Sequence, residues 1–182
     1  MDSEDIRYHA KEALAKAHLF ENRAARYEFW VRLIDASPLA IPLLVGLIVM
    51  TYEMPEFARQ FTINLAGTLL ILQAFFDLFA RTYKWKKIAK KALAASQDYD
   101  ALHGRWDLLG RTATPIEAEV TKLLAEEEPL ARRSVELNIT PREARFGERY
   151  ALHHYQIACP ECHKVPEAAL ATKQNICPNC GK

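Results

Sequence analysis

Two uncharged apolar blocks dominate the pattern of hydrophobic and polar positions along the chain. The first covers residues 36–52 and the second covers residues 61–76. At about 1.5 Å per helical residue, each block reaches roughly 25 Å, slightly less than the hydrocarbon core of a bilayer, which is about 30 Å thick. Aromatic residues suited to a membrane interface lie at the ends of both blocks: Phe29, Trp30, Tyr52, Phe57, Phe61, Tyr83 and Trp85. The pattern predicts two transmembrane helices, at about 36–53 and 59–80, joined by a short turn.

A buried helical hairpin in a soluble bundle is the alternative interpretation, because shorter apolar runs usually have that role. The first block, however, contains eight Leu, Ile and Val residues. At about −0.3 to −0.6 kcal/mol each, these side chains favour insertion into a bilayer by roughly 2.5 to 5 kcal/mol. Pro38, Pro42 and Gly46 also lie in this block, and membrane helices tolerate them. The membrane interpretation is therefore preferred.

Outside the blocks, apolar residues recur at alternating spacings of three and four, as in helices that pack along one face. The stripe before the first block consists of Ile6, Ala10, Ala13, Ala17, Phe20, Ala24, Tyr27 and Val31. The stripe after the second block consists of Trp85, Ile88, Ala92, Ala95, Tyr99, Leu102, Trp106 and Leu109. We predict cytoplasmic helices at about 4–34 and 81–109 that lie side by side and antiparallel, with aromatic residues of the second filling space beside alanines of the first.

Two further helices begin at matching start signals. Thr114 and Thr140 are each followed by proline and then, three positions after the threonine, by glutamate. This is the pattern of a capped helix start. It predicts cytoplasmic helices at about 115–137 and 141–157, and Pro129 is expected to kink or split the first of them.

No segment before the cysteines has a convincing strand pattern. The predicted fold class is an all-α integral membrane protein with a transmembrane helical hairpin and long cytoplasmic helix extensions. We expect a two-transmembrane helical domain at 1–157 and a small four-cysteine zinc module at 158–182.

Charge predicts the orientation of the hairpin. Eleven basic residues flank it, namely Lys11, Lys16, Arg23, Arg26, Arg32, Arg81, Lys84, Lys86, Lys87, Lys90 and Lys91. The turn at 53–60 contains only Arg59. Because cytoplasmic segments of membrane proteins are enriched in Lys and Arg, both termini are predicted to be cytoplasmic. The net charge of +1 argues against general nucleic-acid binding.

The most specific chemical signal is a pair of C-x-x-C sequences near the C-terminus. Cys159 and Cys162 are followed, after 14 residues, by Cys177 and Cys180. Two such loops supply the four thiolates of a closed, structural zinc site, so we predict a zinc ribbon or knuckle with one Zn²⁺ per chain. A four-sulfur iron site and a pair of redox thiols are the alternatives. The nearby histidines are expected to have surface or second-shell roles: His153, His154 and His163.

A stripe of polar and small residues follows one face of the second apolar helix. It consists of Thr62, Ala66, Gln73 and Asp77, with Leu69 filling the gap. In an oligomer this face could line a pore; alternatively, its polar groups hold the hairpin together or pair with Arg32 or Arg81. Asp35 has the same two interpretations, and a third alternative is that, with Ser37 ahead of Pro38, it only caps the first span.

The order of a basic helix, two short spans, and a returning helix resembles the SLATT family of bacterial two-transmembrane effectors. The resemblance covers about residues 5–157. It is carried by the run from Arg23 to Tyr27, by the hairpin, and by the segment from Tyr83 to Tyr99. It implies a prokaryotic inner-membrane effector that oligomerises and perforates the membrane when a cytoplasmic sensor signals infection. The cysteine pairs are not part of the core of that family.

The leading functional hypothesis is thus a pore-forming or membrane-disrupting effector of a prokaryotic defence system, with the lipid bilayer, further copies of the chain and a cytoplasmic sensor as partners. A membrane-anchored adaptor whose zinc module binds a partner protein is the second hypothesis. A redox or metal sensor is the third, and it requires labile thiols. The sequence has no phosphate-binding glycine loop and no catalytic set, so we expect no enzyme and regard nucleic acid as an unlikely partner.

Overall fold

The structure is a computed structural model that describes residues 3–51, 55–112, 117–169 and 177–181. These residues form no strand and five helices: α1 (Ser3–Thr51), α2 (Glu56–Thr82), α3 (Trp85–Arg111), α4 (Glu117–Glu136) and α5 (Pro141–Tyr155). The all-helical prediction is confirmed over this part of the chain. The chain divides into two compact units. Unit 1 comprises Met1–Ala24 and Lys90–Lys182, and unit 2 comprises Ala25–Ala89.

Helix α1 does not end where the sequence predicted. Instead of stopping at residue 34 and starting again at residue 36, it continues through Pro38. Proline has no N–H to donate to the carbonyl four residues earlier, which here belongs to Ile34. The Ser37 hydroxyl donates to that carbonyl at 3.0 Å. The structure thus does not support the alternative in which Asp35 and Ser37 cap a new helix, because the serine lies within a continuous one.

The apolar parts of α1 and α2 are exposed in unit 2. Both helices are long and apolar enough to cross a membrane, and no residue of the most apolar window of either helix is buried. Helix α2, at Glu56–Thr82, extends past the predicted 59–80 at both ends. Tyr52 and the first part of the predicted 53–60 turn lie outside the described residues. Length and composition thus support two candidate spans.

Two residues, Tyr83 and Lys84, separate helix α2 from helix α3. Tyr83 caps α2, and Lys84 has a φ of 54°, in the left-handed region that residues other than glycine rarely adopt. The Lys84 N–H donates to the Arg81 carbonyl at 3.1 Å. Helix α3 therefore starts at Trp85, four residues after the predicted start at about residue 81.

Unit 1 contains the predicted antiparallel pairing of α1 and α3. The rings of Phe20 and Tyr99 stack with centroids 5.8 Å apart, and the Ser96 hydroxyl donates to the Ala17 carbonyl at 3.0 Å. The buried members of the two predicted stripes are Ile6, Ala10, Ala13, Ala17, Phe20, Ala24, Ala92, Ala95, Tyr99, Leu102, Trp106 and Leu109. The pairing is confirmed, and its core combines aromatic side chains of α3 with alanines, Ile6 and Phe20 of α1.

Helices α4 and α5 complete unit 1. Helix α4 continues through Pro129, so the proline does not split it. The predicted start at Thr140 is confirmed: its hydroxyl accepts from the Glu143 N–H at 3.3 Å, and the Glu143 carboxylate accepts from the Thr140 N–H at 3.0 Å. The matching signal at Thr114 lies outside the described residues.

Candidate metal centre

The four cysteines converge at the end of unit 1. They are free thiols whose sulfur atoms all lie within 4.8 Å of one another. The Sγ atoms of Cys159 and Cys177 are 3.8 Å apart, and those of Cys162 and Cys180 are 3.6 Å apart. A tetrahedral ion with Zn–S bonds of about 2.3 Å requires sulfur atoms about 3.8 Å apart. The cluster therefore fits a metal ion held by four sulfurs.

The two C-x-x-C loops have the same backbone turn. The N–H of His163 donates to the Cys159 carbonyl at 2.8 Å, and the N–H of Gly181 donates to the Cys177 carbonyl at 3.0 Å. These two donors follow the second cysteine of each loop and have φ values of 53° and 61°. The exposed His163 side chain does not belong to the sulfur cluster. Position 163 therefore contributes through its backbone, which turns the chain so that both thiols of the loop face one point.

The C-terminal end of helix α5 packs against the cysteine cluster. After Tyr155, Gln156 adopts a left-handed conformation with a φ of 53°, and the Ile157 N–H donates to the Leu152 carbonyl at 3.0 Å. This ending turns the chain from the helix directly into the first cysteine loop. Leu152, which is fully buried, packs against the cysteines together with Ile157. Three of the four thiols are buried as a result, and only Cys162 is partly exposed.

Backbone donors favour a thiolate at this site. The N–H groups of Cys180 and Asn179 hydrogen-bond the Cys177 sulfur and lower the pKa of that thiol, although burial opposes the shift. Burial is the main cause that raises the pKa of Cys180. The Asn179 side-chain amide lies 3.6 Å from the Cys159 sulfur, to which it donates. A metal ion must displace the remaining thiol protons, so binding is coupled to proton release.

Arg149 is the residue of the site that the sequence interpretation missed. It is only 4 % exposed. Its Nε donates to the Ala168 carbonyl at 2.8 Å, and its Nη1 donates to the carbonyls of Cys180 and Gly181 at 3.3 and 3.4 Å. It ties α5 to the loop that follows the first knuckle and to the second knuckle. Its positive charge would also complement four thiolates around a divalent ion, which together would have a net charge of −2. The sequence did offer one signal: Arg149 lies three residues before the buried Leu152, and residues at this spacing share a face of a helix.

The stripe predicted on α2 lies on the less exposed side of that helix. Thr62, Ala66, Gln73 and Asp77 are half-buried, whereas Leu69 is 41 % exposed. A crevice between the two apolar helices is lined by both of them, and Gln73 and Asp77 belong to its α2 side.

The polar groups of this stripe differ in how they are satisfied. The Thr62 hydroxyl donates to the Ala58 carbonyl at 2.8 Å, and the Asp77 carboxylate pairs with Arg81 at 2.8 Å. The side-chain carbonyl of Gln73 is buried and has no hydrogen-bond partner among the described residues. Among the described residues of this stripe, Gln73 alone is thus left with an unmet side-chain acceptor.

Fold and site together define a helical protein with two candidate membrane helices and a four-cysteine cluster whose geometry suits a metal ion. The chain belongs to the family described as "Mobilome CxxCx(11)CxxC protein", whose model matches residues 4–182. That description associates the family with mobile genetic elements and with the four-cysteine motif. Here 14 residues, rather than 11, separate the two cysteine pairs. This match does not show membership of the SLATT family. No curated protein and no solved structure matches the chain.

Proposed function

We propose that this chain is a two-pass membrane effector of mobile genetic elements, which oligomerises and makes the cell membrane leaky when unit 1 is engaged. The observation that carries the proposal is the exposure of the apolar faces of α1 and α2. Leu39 is 72 % exposed and Ile71 is 74 % exposed. Burial of such a side chain is worth about 1.5–3 kcal/mol, and soluble monomers rarely expose apolar patches larger than a few hundred Å².

The bilayer is the partner that this exposed surface fits. Other large apolar residues exposed on the two helices are Leu43, Leu44, Leu47, Phe57, Phe61, Phe75 and Leu78. In this arrangement the basic flanks of the hairpin stay in the cytoplasm, together with both termini. The cysteines then lie in a reducing compartment, where thiols persist as metal ligands.

Zinc is the ion that we assign to the cysteine cluster. Cys159, Cys162, Cys177 and Cys180 would hold it as a closed site, and metal binding would supply folding free energy to a segment too short for a core of its own. Arg149 would link the folded module to α5 through its hydrogen bonds to the carbonyls of Cys180 and Gly181. The zinc module is therefore a structural part of unit 1, the part that a cytoplasmic trigger or sensor protein would engage.

Oligomerisation would satisfy the polar face of α2. Gln73 retains an unmet acceptor in the crevice between α1 and α2, and an amide from a neighbouring copy becomes a suitable donor in the membrane once these two helices separate to admit it. A ring of such contacts places Thr62, Ala66 and Asp77 toward a shared axis, with Leu69 as a constriction. The resemblance to SLATT effectors agrees with this mechanism.

The Gln73→Leu variant tests this step. Loss of an interhelical hydrogen bond of about 1–2 kcal/mol is expected to lower dye leakage from liposomes about tenfold, without preventing insertion. The control is Asn64→Leu, which adds the same side chain at an exposed position of the same helix. Equal leakage from the parent and from both variants would contradict a pore built on this face.

A membrane-anchored adaptor is the second candidate function. It is favoured by the Asp77–Arg81 pair and by the half-burial of the stripe within a single hairpin, since both satisfy polar groups without further copies. In that case the hairpin only anchors the chain, and unit 1 binds the partner protein. Leakage that is absent from the parent protein would favour this role.

A further inference from the structure

The turn between α2 and α3 forms one wall of a pocket within unit 2. Its apolar and aromatic lining consists of Val31, Ile34, Ala80 and Trp85, and its charged lining consists of Asp35, Asp77, Arg81, Lys84, Lys86 and Lys87. Four cationic and two acidic side chains leave a net charge of +2. The pocket thus combines a positive charge with an apolar surface.

Two of the four cations are already neutralised. Arg81 pairs with Asp77 at 2.8 Å. Lys86 pairs with Asp35 at 2.8 Å. Lys84 and Lys87 form no ion pair with any described residue. The uncompensated positive charge of the pocket therefore resides on these two ammonium groups.

The backbone adds to the attraction for an anion. Helix α3 starts at Trp85 and has no acidic residue in its first turn, so the positive end of its dipole is not neutralised there. The left-handed Lys84, with a φ of 54°, places this helix start directly after the end of α2. Two lysines and a helix N-terminus thus meet at one pocket.

The surroundings of the pocket match an amphiphilic anion. The Trp85 ring makes edge contacts with Tyr27 and Phe79, at centroid distances of 6.1 and 6.0 Å. Tyr83 and Trp30 are exposed large aromatic residues of the same unit. Tryptophan and tyrosine favour the headgroup level of a bilayer, where one side of the ring is apolar and the other is wet.

We infer that this pocket binds the headgroup phosphate of an anionic phospholipid, with Lys84 and Lys87 as its cations and Val31 and Ile34 against its acyl chains. The inference rests on the proposed membrane insertion, and it adds a specific lipid site to it. Basic pockets between membrane helices on the cytoplasmic side bind such lipids. Charge complementarity and continuity with the exposed apolar helices favour a lipid over an acidic protein segment.

The test uses the full-length protein in a neutral detergent, titrated with short-chain phosphatidylglycerol and followed by tryptophan fluorescence. The Lys84→Gln/Lys87→Gln variant is expected to bind about thirty-fold more weakly, about fivefold for each lysine near an anionic lipid. Lys84→Gly is a second variant, because glycine accepts the left-handed conformation and removes only the side chain; it should lose about fivefold. The control, Lys122→Gln/Arg142→Gln, removes the same charge from exposed positions of unit 1 and should bind like the parent.

The following results would contradict the inference. If phosphatidylcholine bound as tightly as phosphatidylglycerol, the net charge of the lipid would have no role in binding. If glycerol phosphate bound as tightly, the pocket would be a site for soluble anions. Unchanged binding by the lysine variants, or displacement of the lipid by an acidic peptide at equal concentration, would also contradict it. Resistance of the parent protein to alkaline extraction from membranes is measured separately, so that failure of insertion and failure of lipid selectivity are distinguishable.

Discussion

Gly147→Ala is expected to destabilise unit 1 by about 3 kcal/mol, the upper part of the usual range for overpacking. A Cβ atom at this position of α5 would lie 2.3 Å from the Ala15 carbonyl oxygen and 3.1 Å from the Leu19 Cβ of α1. Both neighbours are held by a helix backbone, so neither can move aside as a flexible side chain would. The two helices must separate to admit the methyl group. Thermal unfolding of the full chain should show a decrease in Tm of about 5–10 °C.

Gly104→Ala is the matched control for this prediction. Gly104 lies within α3, and a Cβ atom there would have no neighbour within 4 Å. Alanine at an open helical position is expected to stabilise the protein by about 0.5–1 kcal/mol. The two glycine substitutions should therefore shift Tm in opposite directions. A similar shift for both variants would show that α5 does not approach α1 as closely as described.

Cys159→Ser is expected to abolish metal binding and to unfold the C-terminal module. The cysteine is fully buried in the sulfur cluster, and its loss leaves three thiols for an ion that prefers four. The binding free energy of structural zinc sites is about 10–16 kcal/mol, and it is available only to the complete site. The purified parent should contain about one zinc ion per chain, whereas the variant should contain almost none and lose its tail to limited proteolysis.

The His163→Gly variant is the control for Cys159→Ser, because it changes a residue beside the ligands without removing a ligand. The side chain of His163 is exposed, and its φ of 53° suits glycine better than histidine. This variant should retain its metal and resist proteolysis like the parent. Retention of zinc by Cys159→Ser, or loss of metal from both variants, would contradict the four-sulfur site. Iron in place of zinc in the parent would contradict our assignment of the ion.

Local sequence patterns predicted the elements that depend on short-range chemistry. The capping box at Thr140 and the spacing that pairs α1 with α3 are examples, because each follows from contacts one helical turn apart or from a repeated stripe. The convergence of the four cysteines was likewise predicted from spacing alone. These features need no knowledge of which helices approach each other closely.

Features that depend on contacts between segments distant in the sequence were not predictable from local patterns. Gly147 occurs in a helix without any turn signal, and its role depends on the position of Ala15 in another helix. Arg149 resembles a solvated surface residue until the second knuckle covers it. The break at Lys84 has no glycine to mark it, and the continuity of α1 depends on a serine hydroxyl that replaces the hydrogen bond lost at Pro38.

The most direct test of the membrane hairpin is a topology reporter inserted into the turn at residues 53–60, with matched fusions at the two ends of the chain. Two membrane-spanning helices place that turn outside the cytoplasm and both ends within it. We therefore predict external reporter activity only for the turn insertion, in protein that stays with the membrane after alkaline extraction. A cytoplasmic signal from the turn, with the protein recovered in the soluble fraction, would contradict the account.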